Sequence, residues 1–221
     1  MKIIINKAVI STILLFSVIW QAAFCYESTL NGYYGNNAGY FACEFDDVES
    51  GHWAAESIEY LAKYGIVSGI DGMFRPDDYI TRAQYIKILI TAFGLYDENA
   101  SCNFVDVLPK DWYFPYVASA VNLKIASGIS DFLFGPEQLV TREQMVTLAY
   151  NASKYCNISF EKNAEINFSD KEKIEDYAAE AVNLIAQSGI ISGDENHMFN
   201  PKSFATRAQA CKLIHLIMLR L

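Results

Sequence analysis

Three arginines stand where binding chemistry would be easiest to perform. Arg82, Arg142 and Arg207 lie in Thr81-Arg82-Ala83-Gln84, Thr141-Arg142-Glu143-Gln144 and Thr206-Arg207-Ala208-Gln209. A guanidinium presents a planar fork that takes a carboxylate bidentately, and a helix starting at each Thr would expose N–H groups that also favour an anion. Anion binding is therefore the chemistry expected of these residues. The competing reading is a solvent-facing arginine in the first helical turn, where a cation is mildly unfavourable. Three recurrences of an electrostatically poor choice argue for function.

The same four residues fix the element that must position the arginine. Each fits a capping box, in which the Thr hydroxyl accepts from the third residue's N–H and the Gln side chain reaches back to the cap. Thr is thus explained by structure alone. An apolar stripe follows, such as Tyr85, Ile86, Ile88, Leu89 and Phe93, or Ala210, Leu213, Ile214 and Ile217, and these residues are expected to form core.

The caps close a longer pattern that recurs three times. The first copy contains Phe45, Trp53, Gly69, Phe74, Pro76 and Thr81-Arg82. The second has Phe104, Trp112, Gly128, Phe134, Pro136 and Thr141-Arg142, and the third Phe168, Tyr177, Gly193, Phe199, Pro201 and Thr206-Arg207. In every copy a Phe stands seven residues, and a Pro five, before the Thr. A first helix is predicted from Trp53, Ile58, Leu61 and Ala62 as far as Gly65, with counterparts over 116–123 and 177–185. Between the helices lies a loop of about a dozen residues, long enough to need an anchor. Gly69, Gly128 and Gly193 are expected to supply positive φ there, the prolines to stiffen the approach to the cap, and Phe74, Phe134 and Phe199 to pin the loop to the core.

The repeats run over 45–93, 104–151 and 168–221, joined by connectors at 94–103 and 152–167 that have no room for another domain. One repeat of about 50 residues has little core of its own, so the three are expected to bury their helices together as an all-α unit of helix-loop-helix repeats.

Residues 1–25 differ from the rest. Lys2 and Lys7 give a basic start, 8–24 is mostly apolar, and no acidic residue precedes Glu27. That order reads as a signal peptide cleaved after Cys25, with Ala23 and Cys25 as the small residues before the cut. A membrane anchor would want about 20 apolar residues, and this run is shorter and broken by Ser11, Thr12, Ser17 and Gln21. Lipidation at Cys25 is disfavoured by bulky Phe24. Residues 26–44 then form a polar, tyrosine-rich leader. Cleavage would move the formal charge from −9 to −11, an acidity that opposes nucleic acid and anionic lipid as partners. Cys43, Cys102, Cys156 and Cys211 would remain, as disulfides or as buried thiols.

Phe45-Asp46-Asp47-Val48, Trp53-Ala54, Gly65-Ile66-Val67-Ser68-Gly69, Phe74-Arg75-Pro76 and Ile80-Thr81-Arg82-Ala83 resemble the S-layer homology family. The resemblance implies a pseudo-threefold assembly around a central helical bundle, with ligand grooves between neighbouring repeats. It further implies attachment from outside the cell to secondary cell-wall polysaccharide, through a pyruvylated sugar whose ketal carboxylate the arginines would meet. A surface-layer protein partner, or a structural role in the layer itself, is the alternative. By the same resemblance Asp47, Asp106 and Asp170, with Gly69, Gly128 and Gly193, would contact sugar hydroxyls or shape the groove, although a turn aspartate and a loop glycine explain them equally well. Trp53 and Trp112 would wall the groove, whereas the residue pattern alone favours them as core anchors of the first helix. The third copy departs most, with Tyr177 for Trp and Lys171 after Asp170, while Lys124 replaces the first loop glycine in the second.

No enzyme is expected. His52, His197 and His215 lie in different repeats without metal spacing, and the loops at Asp71-Gly72 and Asp194-Glu195 lack the alternating oxygen ligands of a calcium loop. No cofactor or metal is expected.

Overall fold

The computed structural model describes residues 45–163 and 165–221, and the expected signal peptide, the leader and Cys43 lie outside them. Six α-helices and one 3-10 turn are present, and no strand or sheet occurs among the described residues. The helices are α1 Ala55–Lys63, α2 Arg82–Ala92, α3 Phe114–Asn122, α4 Arg142–Tyr155, α5 Asp176–Gln187 and α6 Arg207–Met218. The all-α expectation holds, two helices to a repeat.

Sequence explains where each helix starts and stops. Thr81, Thr141 and Thr206 each close a complete capping box with Gln84, Gln144 and Gln209. In the second repeat the first helix begins at Phe114, ahead of the expected 116, because Pro115 sits in the first turn, where a missing N–H costs nothing. The positions just past α1, α3 and α5 are left-handed: Gly65 at φ 65°, Lys124 at 58° and Gly189 at 78°. The chain turns there as a helix C-terminus requires, and only Lys124 does so against its own side chain.

The second helix of each repeat is buried on most of its sides. α2 buries Ala83, Tyr85, Ile86, Ile88, Leu89, Ile90 and Ala92, the composition of a helix enclosed by others. Accordingly α2, α4 and α6 touch one another at the centre. Each first helix packs on the second helix of the preceding repeat, cyclically: α3 on α2, α5 on α4, and α1 on α6. The repeats are therefore interlocked rather than stacked in a line.

The ring closes at the N-terminal ends of the central helices. Ile80 N–H donates to Ala205 O at 3.1 Å, Ala205 N–H to Val140 O at 2.8 Å, and Val140 N–H to Ile80 O at 3.0 Å. Antiparallel bridges at Thr81 and Leu139, Thr141 and Phe204, and Tyr79 and Thr206 mark the same three junctions. Off this axis the arrangement is less symmetric. Tyr85 is fully buried and donates its hydroxyl to Met145 O at 2.9 Å, where the other repeats have Met145 and Ala210.

Cys102, Cys156 and Cys211 are free thiols, of which Cys211 is buried. Burial pushes Cys156 up to about 11 and Cys211 up to about 12, so both remain protonated and behave as small apolar residues.

His215, on α6, is buried against α1, its Nδ1 3.0 Å from Ser57 Oγ and its ring stacked on Tyr60. Burial holds its imidazole below the ordinary value of 6.5, Glu56 opposing and Lys212 adding to the effect. The folded state thus prefers the neutral ring. Its contribution to stability is complete above the unfolded value and is lost as pH falls through 6.5 toward the folded one. Lowering pH from about 7.5 to about 5.5, across the ordinary histidine range, is expected to lower the urea midpoint of the parent. His215→Gln should flatten that slope, as equilibrium unfolding at the two pH values will show. Lys124→Gly is expected to raise stability by up to about 1 kcal/mol, since relief of a left-handed side chain exceeds the entropy cost of glycine. The same urea titration at fixed pH checks it.

Candidate functional site

The arginines are not solvent-facing, and the helix termini on which they stand are not free. At the start of α2 the N–H of Arg82 donates to Gln138 O at 2.9 Å, that of Ala83 to Pro136 O at 2.9 Å, and that of Gln84 to Thr81 Oγ1. α4 repeats this with Ser203 O and Pro201 O, and α6 with Asp78 O and Pro76 O. The helix terminus expected to expose its N–H groups to an anion is thus filled. Carbonyls from the proline segment of the next repeat already occupy it.

Each guanidinium reaches further into that neighbouring repeat. Arg82 Nε donates to Phe134 O at 3.2 Å and an Nη to Ser127 O at 3.1 Å. Arg207 makes the same pair with Phe74 O at 3.0 Å and Ser68 O at 3.2 Å, and Arg142 Nε bonds Phe199 O at 2.8 Å. The planes lie over the rings of those Phe residues, with Cζ 4.8, 4.5 and 5.1 Å from the centroids of Phe134, Phe74 and Phe199. Behind them Phe104, Phe45 and Phe168 continue the stack. Burial pushes all three guanidiniums down from their ordinary value, yet they remain far too basic to lose charge. The loop phenylalanines are anchors, as expected, being at most 1% exposed.

The aspartates hold the same loops from the other side. Asp47 accepts from Phe74 N–H at 2.7 Å and Arg75 N–H at 2.6 Å. Asp106 takes Phe134 and Gly135 at 2.9 and 2.8 Å, and Asp170 takes Phe199 and Asn200 at 2.8 and 2.9 Å. The second donor of each pair is left-handed, at Arg75, Gly135 and Asn200. Burial pushes the Asp47 carboxyl up, but the two N–H donors, helped by Arg207, outweigh it and hold the group below the usual carboxylate range. Asp47, Asp106 and Asp170 are thereby loop tethers, with both oxygens engaged.

Gly69, Gly128 and Gly193 do not have positive φ, contrary to expectation. They are needed for close approach. A Cβ on Gly69 would stand 2.5 Å from Met73 O and 2.7 Å from the Phe45 ring; on Gly128 it would meet Ser130 O and the Phe104 ring, and on Gly193 the backbone of His197 at 2.8 Å. Trp53 and Trp112 are also not core: they are 51% and 52% exposed, and Tyr177 is 55% exposed in the third repeat. The aromatic position is therefore a surface position in all three copies.

Around the second-repeat loop these parts meet in a groove of about 790 Å³, lined by Arg82, Phe104, the loop from Lys124 to Asp131, the α4 residues Gln144, Thr147 and Asn151, and Tyr177. It therefore draws on all three repeats. The equivalent positions around the first-repeat loop are Arg207, Gln84, Lys87 and Trp112, and around the third-repeat loop Arg142, Gln209, Lys212 and Trp53. Lys87 Nζ lies over the Trp112 ring at 5.7 Å. Lys212 Nζ lies over Trp53 at 5.5 Å and bonds its carbonyl. Sequence reasoning missed both lysines. The signal was there, since each stands five residues after the repeated arginine on the same helix.

The middle groove differs. Thr147 stands in the lysine position, and the Tyr177 hydroxyl donates to Glu143 at 3.1 Å. Glu143, which replaces Ala83 and Ala208, is buried and also accepts from Lys202 Nζ at 2.6 Å and Glu175 N–H at 3.2 Å. Burial, with the Glu143 carboxylate next, pushes the Tyr177 hydroxyl up to about 12.

Residues 44–86, 103–146 and 167–211 match the S-layer homology domain. The chain belongs to that family. Similar proteins include an amylopullulanase from Thermoanaerobacterium thermosulfurigenes, 34% identical over 77% of this chain and 9% of its own length. An exoglucanase from Acetivibrio thermocellus is 32% identical over 77% of this chain and 16% of its own length. An S-layer protein of Bacillus thuringiensis subsp. finitimus is 30% identical over 77% of this chain and 21% of its own length. The chain thus spans about a fifth or less of these relatives. What the enzymes share with it is the S-layer homology part, a binding and anchoring module. No helix among the described residues is long and apolar enough to cross a membrane.

Arg82→Ala should cost about 2–3 kcal/mol, the range for hydrogen bonds from a charged group whose buried partners are left unsatisfied. Arg82→Lys should recover little, because a point charge cannot span Phe134 O and Ser127 O together. Urea unfolding of both variants checks this.

Proposed function

We propose that this protein is exported by a signal peptide at residues 1–25 and attaches non-covalently to the bacterial cell wall, binding anionic secondary wall polysaccharide in the grooves between its repeats. The observation that carries this reading is the exposed aromatic ring at each groove. Trp53 and Trp112 each lie beside a lysine ammonium, and the middle groove has Tyr177 and the buried Arg82 in its lining. An aromatic face receives the apolar face of a sugar ring, while an adjacent cation answers a carboxylate. Of the five N–H groups on a guanidinium, Arg82 spends two on neighbouring carbonyls. The remainder supports a polar contact from the groove floor.

A pyruvate ketal is the acidic group this reading favours, because it holds a carboxylate, through two ketal oxygens, close beside the sugar ring that the aromatic would cover. The names of the relatives, an S-layer protein and carbohydrate-degrading enzymes, support attachment at the cell surface. An S-layer homology module of this kind, secreted and wall-bound, can hold a surface-layer partner in place without chemistry of its own.

Co-sedimentation with purified wall polysaccharide tests the proposal. The parent should sediment, and a Trp53→Ala/Trp112→Ala variant should lose most binding, as each central aromatic is worth about 2 kcal/mol in an interface. Both rings are half exposed, so the variant should keep its fold, which circular dichroism verifies. Polysaccharide chemically stripped of pyruvate should retain neither protein. Undiminished sedimentation on the stripped polymer would refute the ketal, and undiminished sedimentation of the double variant would refute the grooves.

A further inference from the structure

In the first and third repeats the turn after the first helix is Gly65 or Gly189, and in the second it is Lys124, held at φ 58°. A strained side chain kept at a surface turn calls for a reason beyond folding. The groove supplies one. Lys124 lines it together with Arg82, Thr147 and Tyr177, and this is the groove whose helical wall lacks the lysine found at Lys87 and Lys212. Lys124 is exposed and forms no salt bridge among the described residues, although Asp131 lines the same groove. The cation absent from the helical wall at Thr147 has therefore been replaced by one on the loop wall.

We propose that Lys124 is the residue that recognises acid in the middle groove, so that this groove takes a carboxylate-bearing sugar in a pose different from that in its two neighbours. The inference rests on the polysaccharide-binding reading and assigns its charge recognition groove by groove. In the outer grooves the ammonium projects from α2 or α6 beside a Trp. In the middle one it stands on the loop, while the ring in the same lining, Tyr177, is tied through its hydroxyl to Glu143. The position is tuned for binding at the expense of the turn.

Amide NMR titration of the protein with a synthetic methyl glycoside bearing a pyruvate ketal separates the grooves, with Gly69, Gly128 and Gly193 as reporters. Lys124→Gly should weaken binding at Gly128 by about three- to fivefold, the scale of an exposed charge pair, and leave the other two sites unchanged. With the ketal methyl ester the variant and the parent should bind alike at Gly128. Adding Thr147→Lys to Lys124→Gly should restore the acid's affinity by returning the ammonium to the helical wall. Unchanged affinity at Gly128 in Lys124→Gly, no restoration in the double variant, or a parent that responds at Gly69 and Gly193 but not Gly128 would each overturn the inference and leave the wider proposal standing. Silence at all three reporters would sink the wider proposal itself.

Discussion

Everything in this structure hangs on how three helix N-termini are satisfied. A helix leaves its first N–H groups without partners, and a buried start must find acceptors outside the helix. Here each central helix finds them in the proline segment of the next repeat, while the residue before each capping Thr joins a ring of three backbone hydrogen bonds. Because the donors of one repeat are completed by the carbonyls of another, no repeat is complete alone. The cyclic packing of first helices on the preceding second helices adds the apolar counterpart of the same dependence.

Once that ring is fixed, the arginine beside each cap has only one direction to go. It follows the N–H groups into the neighbouring loop, where two carbonyls and a phenylalanine face receive it. The aspartate grips the same loop by two N–H groups at the far side. Loop, arginine and aspartate thus form one rigid wall of each groove, and the close-packed glycine lets that wall lie flat against the first Phe of the repeat. Rigid walls suit sugar recognition, since a ligand then meets a preformed surface and less ordering is charged against its binding.

The capping boxes and the loop anchors are legible in the sequence because each is a local relation, fixed by spacing within about ten residues, and the repeat and its helix pairs because that local pattern recurs three times. The surroundings of the arginine are not legible in this way because its partners lie in another repeat. Within Thr81-Arg82-Ala83-Gln84 nothing announces that Pro136 and Gln138 will fill the helix terminus or that Ser127 will take the guanidinium. The loop glycines were misassigned for a related reason. A glycine needed for positive φ and one needed for close approach look alike in sequence, and only their tertiary surroundings, the Phe45 and Phe104 rings and the backbone at Met73, Ser130 and His197, distinguish them. Trp53 and Trp112 read as core because an aromatic at a helix start is commonly buried, yet the first helices already bury their inward face with Ala, Ile, Leu and Val.

Which positions can vary follows from this division. Residues that cap the helices and hold the loops are locked, since changing one leaves donors or acceptors orphaned in its own repeat or, for the arginine, in the next; Thr-Arg-x-Gln, the loop Phe and the Phe-x-Asp aspartate are the same in all three copies. The groove surface is under no such constraint. There the chain shows Trp or Tyr, Lys or Thr, and Gly or Lys at equivalent positions. The third repeat even inserts one residue between Phe168 and Tyr177, absorbed in the 3-10 turn Lys171–Lys173, without moving the aromatic from the surface. Threefold scaffold and unequal surfaces are therefore compatible: symmetry holds in the side chains that cap the helices and fix the loops, and it lapses one side chain further out.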